Sequence, residues 1–224
     1  MDPREAARLI DISAVRTHNT AADVRECVRV AGEYGFINVH SLPAYTSLVA
    51  ELLADEPDIY VGAPVGFPGG GHRIETKMRE AELLASDGVQ EMDIVMNVGR
   101  FKDGDHAYVL DELKQVMAVV PGDIVKKVII EINVLTDDEM LLAAGLVIES
   151  GADFLKTGTG WVPGGANVGR IEKIKGVTKG YVKVKAAGGI RTRGEFDALL
   201  ALGVERFGIN TRSALDIVRS HSIV

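Results

Sequence analysis

Residues 152–160 read ADFLKTGTG, and residues 181–189 read YVKVKAAGG. Each is a short apolar run of strand character that closes on a lysine and then breaks at glycine. Lys156 and Lys185 are 29 positions apart, the length of one strand, one helix and their loops. That spacing predicts two neighbouring parallel strands whose lysines project from the same end, because parallel strands need a crossover connection of a dozen or more residues.

The same alternation runs outward through the chain. Strand-like segments fall at 10–12, 35–39, 59–63, 91–95, 127–132, 154–157, 181–186 and 206–209, with amphipathic helical segments such as 21–34, 73–86, 136–150 and 192–202 between them. Thr136-Asp137-Asp138-Glu139 reads as a capping box, and Ser150-Gly151 as a helix end. Eight units in 224 residues average 28 each, close to the minimum for strand, helix and two loops. Gap-free alternation implies a parallel sheet covered by helices. Closure suits it better than an open sheet, whose dinucleotide fingerprint would follow the first strand, whereas the glycine signals here sit late. The expectation is α/β, a single (β/α)8 TIM barrel occupying 1–224 as one domain, since no linker, charge block or low-complexity run divides the chain.

Composition narrows the function. With 46% apolar residues and a mean hydropathy of +0.12 there is ample core material, yet the longest uncharged apolar stretch, 141–148, is too short to span a bilayer. The start, MDPREAARL, lacks a secretory pattern, and a lone Cys27 can form no internal disulfide, so a reducing cytoplasm is expected. A net charge of -7 argues against a general nucleic-acid surface.

Catalytic groups of a parallel barrel sit at strand C-termini. Asp11, Asp93, Lys156 and Lys185 all lie near the ends of apolar segments, where an unpaired charge would be costly. Two lysines at one mouth repel each other, and bringing an ammonium from about 10.4 toward 7 corresponds to roughly 4 to 5 kcal/mol. The result is an uncharged amine able to attack a carbonyl. The plainer alternative is two structural lysines paired with carboxylates such as Asp93 or Glu131. Lys183 shares the parity of Lys185, but the glycine turn follows Lys185 directly. Gly158-Thr159-Gly160, Gly188-Gly189 and Gly208 with Asn210 and Thr211 follow the last three strands, where barrels build phosphate cradles from backbone N–H groups. His18, His40, His72, His106 and His221 lack ligand-like spacing, so no metal is expected. Gly69-Gly70-Gly71-His72 lacks a P-loop ending and reads as a flexible active-site turn. Trp161 either closes over a substrate or packs against Pro163, and Cys27 reads as core filler.

Across nearly its whole length the chain resembles the deoxyribose-phosphate aldolases, class I aldolases with a (β/α)8 fold. The resemblance is carried by Val65-Gly66-Phe67-Pro68 with Glu75-Thr76-Lys77, by 91–99 (EMDIVMNVG), by 152–160 and by Lys185-Ala186-Ala187-Gly188-Gly189-Ile190-Arg191-Thr192. It implies Lys156 as the Schiff-base lysine and Asp93 with Lys185 as the proton relay, working through a water on the C3 hydroxyl. It also implies substrate contacts at Asp11, Thr159, Gly160, Gly188, Gly189, Gly208, Asn210 and Thr211. The reaction implied is reversible cleavage of 2-deoxy-D-ribose 5-phosphate to acetaldehyde and D-glyceraldehyde 3-phosphate, without metal or organic cofactor. Expected partners are a small phosphorylated sugar and short aldehydes, with a homodimer allowed and neither nucleic acid nor membrane. Departures from the family lie at Ile12-Ser13, at 37–43 (INVHSLP), at Gly158, at Asn210-Thr211 and at the terminal Ile223-Val224, which supplies no tyrosine. They leave two alternatives open: a Schiff-base aldolase for another phosphorylated sugar, or a sugar-phosphate-binding barrel without catalysis.

Overall fold

The computed structural model describes residues 1–221, so the Ile223-Val224 terminus lies outside the described residues. Eight parallel strands follow one another in chain order and close: β1 (Ile10–Ala14), β2 (Asn38–Ser41), β3 (Tyr60–Val65), β4 (Glu91–Val95), β5 (Val125–Ile129), β6 (Phe154–Lys156), β7 (Lys183–Ala187) and β8 (Arg206–Asn210), which pairs back to β1. The expected barrel is therefore the fold. Helix α1 (Pro3–Ala7) precedes β1, and α2 (Ala21–Tyr34), α3 (Thr46–Leu52) and α4 (Ile74–Ser86) follow the first three strands. After β4 come α5 (Val98–Lys102) and α6 (His106–Ala118), and then α7 (Asp137–Ser150), α8 (Val168–Thr178), α9 (Arg193–Ala201) and α10 (Thr211–Ser220) complete the coat.

Local chemistry sets the helix ends. Thr136 and Glu139 form the expected capping box, and Thr20 with Asp23 and Thr192 with Glu195 repeat it. Gly151 ends α7 at φ 81, a left-handed turn that glycine adopts without Cβ strain.

Three strands start two or more residues away from where the sequence placed them. The segment 35–39 yields to β2 at Asn38–Ser41, because Gly35 is the left-handed cap of α2 (φ 75). The segment 127–132 shifts back to Val125–Ile129, because Glu131 turns left-handed (φ 53) and opens a 3-10 turn at Ile132–Val134. The segment 181–186 starts late, at Lys183, after α8 has ended in a turn bonding Tyr181 and Val182 back to Thr178.

Strand alternation separates two interiors. Ile12, Val39, Ala63, Ile94, Val128, Leu155, Val184 and Phe207 belong to the apolar layer packed with the helices. The alternate positions face the barrel axis and are charged to an unusual degree: Asp11, Glu91, Asp93, Lys127, Lys156, Lys185 and Arg206 are all buried. Hydrophobic layers normally fill such a lumen. Here ion pairs take their place, and they rise to the C-terminal mouth.

Candidate active site

Parallel register puts Lys156 on β6 directly beside Lys185 on β7, as their spacing predicted. Both ammonium nitrogens converge on a single carboxylate oxygen, with Asp93 Oδ2 at 2.7 Å from Lys156 Nζ and 2.8 Å from Lys185 Nζ. Lys185 Nζ also lies 2.5 Å from Asp11 Oδ2. Below them Arg206 donates to Asp11 Oδ1 at 2.7 Å and to Glu91 Oε1 at 2.8 Å, while Lys127 Nζ contacts Glu91 and stands 3.5 Å from Asp93 Oδ1. Glu131 pairs with neither lysine.

The lumen thus sets three carboxylates (Asp11, Glu91, Asp93) against four basic side chains (Lys127, Lys156, Lys185, Arg206), one more cation than the anions neutralise. Burial lowers Lys185 to about 8, against the pull of Asp11 and Asp93 and with help from Lys156 and Lys127. Burial is thus the larger cause on Lys185 and the repulsion of neighbouring cations the smaller. Burial opposes charge on Asp93 as well, but the ammonium groups of Lys156, Lys185 and Lys127 outweigh it and hold the carboxyl well below the usual range.

Asp11, Lys156 and Lys185 floor a cleft of about 460 Å³ at the strand C-termini, and Asp93 lies buried beneath them outside its lining. Asp11, Lys156, Thr159, Gly160, Lys185, Gly188, Gly189, Gly208 and Asn210 all line it, so most of the expected set is brought together. Thr211 lies outside the lining, its Oγ1 3.5 Å from the buried Cys27 Sγ, and the Asn210 side chain is occupied as the cap of α10. Lys183 sits exposed at the opposite end of β7. At the rim, Gly188 and Gly189 adopt φ 93 and 73, and a Cβ on Gly189 would approach Gly165 Cα to 2.6 Å. Bare backbone and helix N-termini make such a rim suited to an anion. Arg16 and Arg191 add cationic side chains that the sequence reading passed over.

Glu131 anchors one wall. Its Oε2 accepts from the Thr159 backbone N–H at 3.1 Å and from the Thr159 hydroxyl, and Thr159 Oγ1 in turn accepts from Trp161 N–H at 3.1 Å. Trp161 lines the cleft edge-on to Phe67, 6.0 Å between centroids, with Arg16 5.5 Å over its ring. Gly69-Gly70-Gly71 is not part of the lining; Gly70 (φ 68) instead packs against the Met96 carbonyl.

His40 is the residue the sequence reading missed. It lines the cleft, is buried, and places Nε2 3.1 Å from Asp93 Oδ2. A search for metal-ligand spacing could not find it; its parity with Asn38 on a strand ending at the mouth was the available signal.

A buried carboxylate shared by two lysines at the mouth of a (β/α)8 barrel, beneath a glycine-lined anion rim, defines an enzyme built for amine chemistry on a small anionic carbonyl compound. A scan against protein-family models finds no match. The chain is 48% identical over 218 residues to the deoxyribose-phosphate aldolase of Sinorhizobium medicae, covering 97% of this chain and 87% of the relative. It is 41% identical to that of Klebsiella pneumoniae, over 91% of this chain and 82% of the relative. Among solved structures it resembles QR15, an aldolase, with a TM-score of 0.90 at 33% identity over 96% of this chain and 95% of the other. It also resembles the tetrameric deoxyribose phosphate aldolase of Aeropyrum pernix, with a TM-score of 0.86 at 27% identity over 99% and 93% of the two chains. The chain belongs to the deoxyribose-phosphate aldolase family.

Proposed function

We propose that this chain, acting as one domain over 1–224, reversibly cleaves 2-deoxy-D-ribose 5-phosphate to acetaldehyde and D-glyceraldehyde 3-phosphate through a Schiff base on Lys156. The observation that carries the reading is the single Asp93 oxygen held between two lysine amines. A proton leaving Lys156 passes through that oxygen to Lys185, whose depressed affinity leaves part of the population neutral near pH 8. Freed of its proton, Lys156 attacks the C1 aldehyde and expels water to give an iminium. Loss of the C3 hydroxyl proton then forms the product carbonyl, the C2–C3 bond breaks, and its electron pair moves into an enamine. The Asp93–Lys185 relay, with Asp11 steadying Lys185, returns a proton to C2, and water releases acetaldehyde.

Gly160, Gly188, Gly189, Gly208 and the α10 N-terminus at Asn210 hold the phosphate, with Arg16 and Arg191 adding charge. No metal or organic cofactor enters the scheme, because the iminium is the electron sink. Self-association, with a dimer as the simplest form, is supported by the tetramer named for the Aeropyrum pernix relative. A reducing cytoplasm suits the single Cys27. Among the described residues no helix is long and apolar enough to cross a membrane.

The test combines two measurements. Acetaldehyde release from 2-deoxyribose 5-phosphate is compared with release from a panel of other sugar phosphates, and borohydride reduction with substrate is followed by peptide mapping. Preferred turnover of the deoxy sugar and a reduced adduct on Lys156 are expected. No turnover, or an adduct elsewhere, overturns the assignment.

A further inference from the structure

The histidine of the lumen has a fixed hydrogen position. Asn38 Nδ2 donates to Glu91 Oε2 at 2.8 Å, which orients the amide so that Asn38 Oδ1 faces His40 Nδ1 at 2.5 Å. An amide oxygen only accepts, so the imidazole hydrogen resides on Nδ1. Nε2 lies near Asp93 Oδ2 but off the line of a hydrogen bond, and makes none among the described residues. The neighbouring strand accommodates this placement: Gly62 pairs with His40 in register, and any Cβ there would collide with the ring. A buried, unpartnered ring nitrogen in the wall of a catalytic cleft is therefore held in place from two strands.

The other candidate bases are poorly suited to the first proton transfer. Asp93 is held far too acidic, and its Oδ2 already receives two lysines. Lys185 is engaged by Asp11 and Asp93 together. The groups around His40 are Asp11 on β1, Asp93 on β4 and Lys185 on β7; burial is the largest influence and lowers the imidazole below its ordinary value against the pull of Asp93. A neutral ring at neutral pH has its lone pair on Nε2.

We propose that His40 is a catalytic base of this barrel, its Nε2 accepting the proton of the substrate hydroxyl whose oxygen becomes the product aldehyde. The proposal rests on the retro-aldol reading above and specifies how the hydroxyl proton enters the relay. The O–H bond breaks toward Nε2, its electron pair forms the new C=O, and the C2–C3 pair flows to the iminium nitrogen. The imidazolium then stands 3.1 Å from Asp93 Oδ2, which stabilises it and connects it to Lys185. In the aldol direction the same ring returns the proton.

The test uses His40→Gln in the full-length enzyme. Adduct formation on Lys156 with acetaldehyde and borohydride needs no hydroxyl proton and is expected to stay at the wild-type rate, while kcat for cleavage drops about 100-fold. The acidic limb of the kcat profile, set in the wild type by an imidazole that burial lowers below its ordinary value, is expected to vanish. A kcat within about threefold of wild type, or an unchanged acidic limb, overturns the proposal. Nitrogen-15 NMR of labelled histidine in the wild type gives an independent readout: one unprotonated ring nitrogen at pH 7.5 supports it, and hydrogens on both sink it. A wild-type enzyme that traps acetaldehyde on Lys156 yet leaves 2-deoxyribose 5-phosphate intact overturns the substrate assignment, and the role of His40 with it.

Discussion

Asp93 receives donors from Lys156 and Lys185 on one oxygen, and this geometry yields two predictions for single side chains. Asp93→Asn keeps the shape but replaces a shared anion with a neutral amide, so proton passage between the amines slows. Cleavage should fall by about 10² to 10⁴-fold in a coupled aldehyde assay, the range typical of general acid-base groups. The second prediction concerns pH. Lys185 binds its proton less tightly in the folded enzyme, near 8 instead of 10.5, so its neutral form grows as pH rises through that value. The rate of borohydride trapping with acetaldehyde should therefore climb between about pH 7 and 9, and Lys185→Met should flatten that rise. Both lysines and Asp93 were legible in the sequence, because charge at the end of an apolar strand is costly without a purpose. His40 was not, since a single imidazole carries no spacing signal and its role depends on Asn38, Gly62 and Asp93 from three strands.

At the level of elements, the anion rim depends on backbone approach that a side chain would block. Gly189→Ala would force a Cβ against Gly165 at a left-handed residue, so the loop must move. KM for the phosphorylated sugar should rise about tenfold, a loss of about 1.4 kcal/mol, while KM for unphosphorylated 2-deoxyribose stays level. The α7 cap offers a contrasting case far from the chemistry: Thr136→Ala removes the side-chain acceptor for Glu139 N–H and should cost about 1 kcal/mol in urea denaturation without altering KM. Helix ends of this kind were readable because capping chemistry is local. Strand ends were read less well. Glu131 was read as part of the strand 127–132, yet its left-handed backbone and its bonds to Thr159 are set by contact with the β6 loop, which no local pattern reports.

For the whole molecule, the order of the barrel followed from alternation alone, because eight apolar strands separated by helical segments have few other ways to bury both sheet faces. The lower part of the charged lumen was not foreseen, since the sequence presents Glu91, Lys127 and Arg206 as isolated polar residues inside different strands. Arg206 shows how tightly the set is joined. Arg206→Leu would strand Asp11 and Glu91 without their bidentate partner and should destabilise the fold by about 3 to 5 kcal/mol in chemical denaturation. Such a network also makes acidity and heat resistance inseparable traits in this barrel. The groups that set the working pH are the same ones that fill its axis, where other barrels place inert hydrocarbon. A lineage or engineer seeking an enzyme for more acidic conditions would have to rebalance the entire axial stack, and the variants obtained should trade melting temperature against optimum pH along one curve.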